Sequence, residues 1–253
     1  MTIALTRAVS PALAHCELTH IDRVPIDVER ARLQHHAYEE ALRRLGVTVV
    51  ALEAESDLPD SVFVEDTAVV LDEIAVMTRP GAISRRAEVA SVARALEPYR
   101  KLAWIPEPAT IDGGDVLRIG KTIYVGLSTR SNAASIRALA AIVEPHGYRV
   151  QGVELSGCLH LKSAVTTIAR DRLLVNPKWV NPGDFGALVS VHVHPDEPFA
   201  ANALRIGEAV IYPTNFPRTL ERIAQFVRTI EGVDVSELAK AEGAVTCCSL
   251  VIE

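Results

Sequence analysis

Two short apolar runs joined by a polar or glycine-containing turn recur four times along this chain. The segments are "VEDTAVVLDEIAVMTRP" (64–80), "GDVLRIGKTIYVGLS" (114–128), "AVTTIARDRLLVNP" (164–177) and "ANALRIGEAVIYP" (201–213). Each reads as a β-hairpin. Helical spacing follows three of them: Val89, Ala90, Ala93 and Leu96 within 86–97; Ile136, Leu139, Ala140 and Val143; and Leu220, Ile223, Ala224, Val227 and Ile230. After the hairpin at 164–177 comes "NPGDFGALVS", too short and glycine-rich for a long helix. An earlier helix over 28–45, with Val28, Ala31, Leu42 and Leu45, precedes the strand "VTVVALEA". Repetition at roughly 50 residues marks radial or solenoid architectures, and five such units fill the chain. A propeller of them leaves a central pocket where the inner strands converge. An ordinary α/β sandwich with chance similarity is the alternative.

Composition narrows the setting. The chain has 253 residues, 49% of them hydrophobic, and a net charge of −6. It can bury a sizeable core, and it carries no basic stripe for nucleic acid. Four cysteines, Cys16, Cys158, Cys247 and Cys248, are too few for a disulfide scaffold, and adjacent cysteines seldom bond each other. An arginine interrupts the N-terminal apolar run "MTIALTRAVSPALAH", which is not the pattern of a secretory signal. No apolar stretch approaches ~20 residues, so no membrane span is expected. The expected setting is a reducing cytoplasm with free thiols.

Several polar groups interrupt runs that otherwise read as buried. Glu65 and Asp66 stand between "VFV" and "TAVVL", with Asp60 before them. Buried carboxylates need a cation or good donors, although an exposed bulge would also accommodate them. Asp112 and Asp115 flank a Gly-Gly pair in "IDGGDVL", where a simple turn is the plainer explanation. In "GCLHLKSAV", strand alternation puts Leu159 and Leu161 on one face and His160 and Lys162 on the other. A lone strand histidine is usually structural. In the company of cysteine and carboxylates it supplies the base of a nucleophile–base–orienter set. Arg85 and Arg130 each stand between a hairpin and a helix, in equivalent places of two repeats. Arginine forks pair well with carboxylates. Cys, His and Asp also bind metals, but no CxxC pair or HExxH helix is present. Opportunistic zinc at Cys247 and His160 is more plausible than a designed site.

The segments "LPDSVFVEDTAVV", "TRPGAISRR", "IDGGDVL", "YVGLSTRSN", "LHLKSAV", "FAANALRIG" and "GAVTCCS", in this order, resemble the dimethylarginine dimethylaminohydrolase family. The resemblance runs from about residue 60 to the end. It implies an α/β pentein fold, five ββαβ-type repeats around a pseudo-fivefold axis, with residues 1–253 as one catalytic domain. It further implies Cys247 as nucleophile, His160 as acid–base, and Asp112 orienting the histidine. Glu65 and Asp66 would hold the guanidinium. Asp60, Arg85 and Arg130 would hold the amino-acid end, with Leu18 in a mobile N-terminal loop and a carbonyl near Ala241. The implied reaction takes N-omega-methylated arginine to citrulline and an alkylamine through a thiouronium intermediate, without metal or organic cofactor. The implied partner is a small-molecule arginine derivative, with oligomeric state left open. A deiminase-like activity, a hydrolase of a differently substituted arginine, and a non-catalytic binding protein are the alternatives.

Two further expectations come from the residues. The clustered acids are expected to be unpaired without ligand, so that Asp66→Asn costs little stability. The C-terminal "EGAVTCCSLVIE" reads as a strand, in which Cys248 shares a face with Leu250 and Ile252 while Cys247 shares the other with Ser249.

Overall fold

The computed structural model describes residues 1–253. In chain order the elements are β1 (Ile3–Arg7), α1 (Val28–Arg44), β2 (Thr48–Leu52), β3 (Ala68–Val70), β4 (Ile74–Met77), α2 (Val89–Leu96), β5 (Lys101–Trp104), β6 (Val116–Ile119), β7 (Thr122–Leu127), α3 (Ala133–Val143) and β8 (Arg149–Glu154). They continue with α4 (Leu161–Ala164), β9 (Val165–Ala169), β10 (Arg172–Val175), β11 (Val189–His192), β12 (Leu204–Ile206), β13 (Ala209–Pro213), α5 (Pro217–Ile223), β14 (Thr229–Val233), α6 (Ser236–Ala239) and β15 (Leu250–Ile252).

Five separate three-stranded sheets result: β3-β4-β5, β6-β7-β8, β9-β10-β11, β12-β13-β14 and β15-β1-β2. In each, the first pair is antiparallel and the second parallel. A hairpin makes an antiparallel pair, whereas a parallel return requires a crossover. Helices α1, α2, α3 and α5 supply that crossover in four units, and a single turn at Pro182–Phe185 supplies it in the other. The fifth unit is built from both chain ends, since β15 pairs with β1 through Leu5↔Leu250 and Ile3↔Ile252. Inner strands β3, β6, β12 and β15 surround a cavity of about 250 Å³ lined by Val69, Val116, Leu204 and Leu250. This is a five-repeat α/β propeller, and the sandwich alternative falls.

Each crossover helix is specified locally. Asp27 caps α1 by accepting the Arg30 N–H, and Arg43 and Arg44 sit at its C-terminal end, where the helix dipole favours cations. Its inner face buries Ala31, Tyr38, Ala41 and Leu42. Asn132 caps α3 through the Ser135 N–H.

Three sequence expectations are corrected. Helix α5 ends at Ile223, and Ile230 belongs to β14, because residues 224–228 form the bend that returns the chain to the sheet. "GCLHLKSAV" is not a strand: His160 precedes the one-turn helix α4, which places Leu161 in the core and leaves Leu159 partly exposed. The final strand is only Leu250–Ile252. Cys247 and Cys248 lie in the turn before it, so their different surroundings do not come from strand alternation.

Candidate active site

The turns at the axial ends of the inner strands converge on one small cavity of about 20 Å³. Its walls include Cys247, His160, Asp66, Asp60, Arg85, Arg130 and Ala241, joined by Glu17, Phe63, Leu159, Glu242 and Gly243. Glu65 and Asp66, expected to interrupt a strand, lie instead in a 3-10 turn, Val64–Thr67, just before β3.

The histidine is held from behind. His160 Nε2 lies 3.1 Å from Asp112 Oδ2, and Asp112 Oδ1 accepts the Gly81 N–H at 2.9 Å. Asp115 steadies the same turn. Its Oδ1 accepts the Leu161 N–H at 3.0 Å, and its Oδ2 accepts hydroxyls from Ser128 and Ser131 at 2.5 and 2.6 Å. The other imidazole nitrogen, Nδ1, faces Asp66 Oδ1 at 3.8 Å. Gly114 is required here: a Cβ on it would stand 2.6 Å from His160 Nδ1 and 2.8 Å from Asp66 Oδ1, and its N–H donates to that same oxygen at 2.9 Å. Burial opposes the imidazolium, but Asp66, Asp115 and Asp112 outweigh it and raise His160 to about 9.

The acids are paired, contrary to expectation. Asp66 Oδ2 accepts Arg85 Nη1 at 2.5 Å, and both side chains are buried. Burial pushes Asp66 up, yet His160 and Arg85 prevail and hold it at about 2. Glu65 turns away from the small cavity. Lys162 Nζ donates to its Oε1 and Thr246 Oγ1 to its Oε2, both at 2.7 Å, and it lines the axial cavity instead. Asn202 brackets the cysteine turn by accepting the Thr246 N–H at 3.0 Å and donating to Thr246 Oγ1 at 2.9 Å.

Arg85 spends most of its donors on the protein. Nε and Nη2 grip Glu88 at 3.1 and 2.8 Å, Nη2 reaches the carbonyl of Phe63 at 3.1 Å, and Nη1 meets Asp66. One Nη1 N–H is left for a ligand. Arg130 is freer, donating from its guanidinium only to Thr19 Oγ1 at 3.1 Å. Asp60 Oδ2 accepts the Glu17 N–H at 3.1 Å. Leu18 packs on the core cluster around α1 and does not line the cavity.

Cys247 is partly exposed to the cavity, while Cys248 is fully buried with Val245, Tyr38 and Leu42. Burial, then Glu65 and Asp66, push the Cys247 thiol up to about 12. Asp66, Asp112 and His160 bring potential metal ligands within 4.8 Å of one another. Asp66 and Asp112 already accept from Arg85, Gly114 and Gly81, so an ion would have to compete with those donors.

Several participants carried no sequence signal of their own. Glu88 and Glu242 look like surface acids in their segments, and Thr246 and Asn202 like turn formers. Only the spacing of Glu88 three residues after Arg85, one helical turn, could have suggested the pair.

A five-repeat α/β propeller with cysteine, histidine and carboxylates gathered at its axis defines the guanidino-group-modifying, pentein class. The sequence pattern described as "N,N dimethylarginine dimethylhydrolase, eukaryotic" matches residues 22–182. The N(G),N(G)-dimethylarginine dimethylaminohydrolase of Streptomyces coelicolor is 42% identical, over 98% of this chain and 95% of that one. The Pseudomonas aeruginosa enzyme, solved as a cysteine-to-serine variant complexed with citrulline, superposes with a TM-score of 0.94 at 34% identity, covering 98% of each chain. A histidine-to-glycine dimethylarginine dimethylaminohydrolase, solved as an adduct with S-methyl-L-thiocitrulline, gives 0.93 at 33% identity and the same coverage. The chain belongs to the dimethylarginine dimethylaminohydrolase family.

Proposed function

We propose that this chain hydrolyses N-omega-methylated arginine, asymmetric dimethylarginine or monomethylarginine, to citrulline and an alkylamine through a covalent intermediate on Cys247. The observation that carries the reading is the juxtaposition of Cys247 with the buried Asp66–His160–Asp112 row, in a cavity that also presents Arg130. Relatives of this family complexed with citrulline or joined to a thiocitrulline support it.

The chemistry follows from the charge states. In the free protein the thiol is protonated, because burial and then the acids beside it raise it, and the imidazole is charged, because the surrounding acids outweigh its burial. A planar guanidinium entering beside Asp66 adds a cation next to the sulfur and favours the thiolate, whose proton leaves to solvent. Sulfur adds to the guanidinium carbon. His160 donates its proton to the departing alkylamine, the C–N bond breaks, and an S-alkylthiouronium remains on Cys247. The neutral imidazole then takes a proton from water, and the hydroxide adds to the same carbon. Collapse breaks the C–S bond, the hydroxyl proton passes to the departing sulfur, and citrulline and the resting thiol are released. Asp112 holds the ring and stabilises its charge throughout. Arg130, the last free N–H of Arg85 and Asp60 fix the amino-acid end, which places the carbon against the sulfur. Glu65 acts through Thr246 and Lys162, and not by touching the guanidinium.

Residues 1–253 act as one catalytic domain, a reading supported by the β15–β1 pairing that joins both chain ends. The cytoplasm suits it, given four free thiols, three of them buried, and no helix long and apolar enough to cross a membrane. The test is side-by-side incubation with asymmetric dimethylarginine, monomethylarginine, arginine and agmatine. Citrulline and dimethylamine in equal amounts from the first is the expected result. Ammonia from arginine at equal or better efficiency would make the protein a deiminase instead.

A further inference from the structure

Glu242 is the one residue other than glycine with a left-handed backbone, at φ +58°. That conformation is disfavoured for a glutamate and is kept where the surroundings demand it. It lies between Ala241 and Gly243, on the loop that leads to Cys247. From there its carboxylate reaches the N-terminal segment. Oε2 accepts the N–H of Thr19 and Oε1 the N–H of His20, both at 2.7 Å.

Residues 17–26 take part in no helix, no strand and no backbone–backbone hydrogen bond. Side chains alone hold them. A segment held this way opens at little cost unless those side chains are strong partners. Over the cavity the partners are four. Asp60 takes the Glu17 N–H, Ser84 Oγ donates to Glu17 Oε1 at 2.6 Å, Arg130 donates to Thr19 Oγ1, and Glu242 takes two N–H groups at once. A substrate's ammonium and carboxylate would claim Asp60 and Arg130. Glu242 would remain as the one partner that holds the backbone, beside the exposed Ser84 contact to the Glu17 side chain.

We propose that Glu242 is a positioning residue for the reaction: its carboxylate holds residues 19–20, which follow the cavity-lining Glu17 and seat Thr19 on Arg130, so that this segment roofs the cavity, and keeps that hold while substrate occupies Asp60 and Arg130. The part concerning substrate rests on the reading of this cavity as the methylarginine site; the part concerning the roof does not. With a volume of about 20 Å³ the cavity has to widen to admit an arginine derivative, and the segment that contributes Glu17 to its wall is the part held without backbone hydrogen bonds. That segment is the roof that opens and closes in each cycle, and Glu242 sets how firmly it closes.

The test uses the full chain and three variants. Glu242→Gln keeps size and backbone, but its amide offers one acceptor and turns an NH₂ toward the second N–H. Limited trypsin cleavage after the exposed Arg23, read as the 1–23 fragment, should then rise roughly tenfold in the ligand-free protein. KM for asymmetric dimethylarginine should rise by a similar factor, with kcat within about 3-fold, because sulfur, imidazole and Asp66 are untouched. Glu242→Asp, which keeps the charge, should fall between the two. Glu242→Gly, which removes the backbone strain together with the carboxylate, should match Glu242→Gln in cleavage and KM. Wild-type cleavage and KM in Glu242→Gly would overturn the proposal. Faster cleavage with unchanged KM would overturn the positioning role. If the wild type does not turn over dimethylarginine, the functional reading fails, while the cleavage comparison still decides the roof.

Discussion

Asp66 and Arg85 carry opposed duties at the residue scale. Each lines the cavity, and each is also half of a buried ion pair. Removing one partner strands a charge, at a cost of about 3–5 kcal/mol. Asp66→Asn should therefore abolish turnover and also melt well below wild type without ligand; an unchanged melting temperature would mean that Glu88, already paired with Arg85, is enough to hold its charge. Arg130, with its one light contact, separates binding from stability. Arg130→Ala should lower kcat/KM for methylarginine by about 2–5 kcal/mol, roughly 30- to 4000-fold, and leave a methylated agmatine, which has no carboxylate, nearly unaffected. Equal losses on both substrates would remove Arg130 from the carboxylate. The sequence marks Cys247, His160 and the acids as groups out of keeping with apolar runs. It does not say which acid meets which cation. That depends on Lys162 and Arg85 arriving from 97 and 19 residues away.

Elements were legible where period and punctuation agree. The four hairpins follow from apolar runs separated by turn residues, and β3–β4 and β6–β7 fall inside the segments that announce them. Legibility fails where the chain must point one side chain at the axis. The turn before β15 and the one-turn helix α4 both look like strands, because core contacts on their flanks supply the apolar residues. Strand β15 is short, yet it closes the fifth unit against β1 and buries Leu250 and Ile252 in the core with Leu5 and Leu96. Leu250→Ala should cost about 2–5 kcal/mol by thermal or urea unfolding, a cavity penalty out of proportion to a three-residue strand. A loss under about 1 kcal/mol would mean that this edge frays in the native protein.

Charge organises the whole molecule around its axis. Buried there are Glu65, Asp66, Asp112 and Asp115, with Arg85 and the charged form of His160 against the aspartates and the half-buried Lys162 on Glu65. His160 binds its proton more tightly folded than unfolded, at about 9 against an ordinary 6.5. Its stabilisation is therefore complete below about 6.5 and vanishes as pH climbs through 9. Burial raises Glu88 to about 7 and Asp115 to about 6, so their contributions, of the same sign, have gone by pH 7.5. Between pH 7.5 and 9 the ligand-free protein should lose roughly 5 °C in melting temperature, and His160→Gln should reduce that drop to the part owed to the buried thiols Cys158, Cys247 and Cys248, which burial also raises. A drop of equal size in the variant would assign it to other groups. Repetition suggested the fivefold plan but left a sandwich open, and the family resemblance decided between them. The closure of the ring by the two chain ends was not, since three apolar residues at a terminus carry no partner information.

The central claim is that Cys247, and not its neighbour, attacks the guanidinium carbon. Cys248 is fully buried, with its thiol donating to the Ala244 carbonyl at 3.4 Å, whereas Cys247 opens on the cavity. Intact-mass measurement after reaction with a haloacetamidine, a cation shaped like the reacting end of the substrate, tests this directly in Cys247→Ser and Cys248→Ser. The account predicts one label per chain on Cys248→Ser, with turnover retained, and neither label nor turnover in Cys247→Ser. A label retained by Cys247→Ser and lost from Cys248→Ser would contradict it.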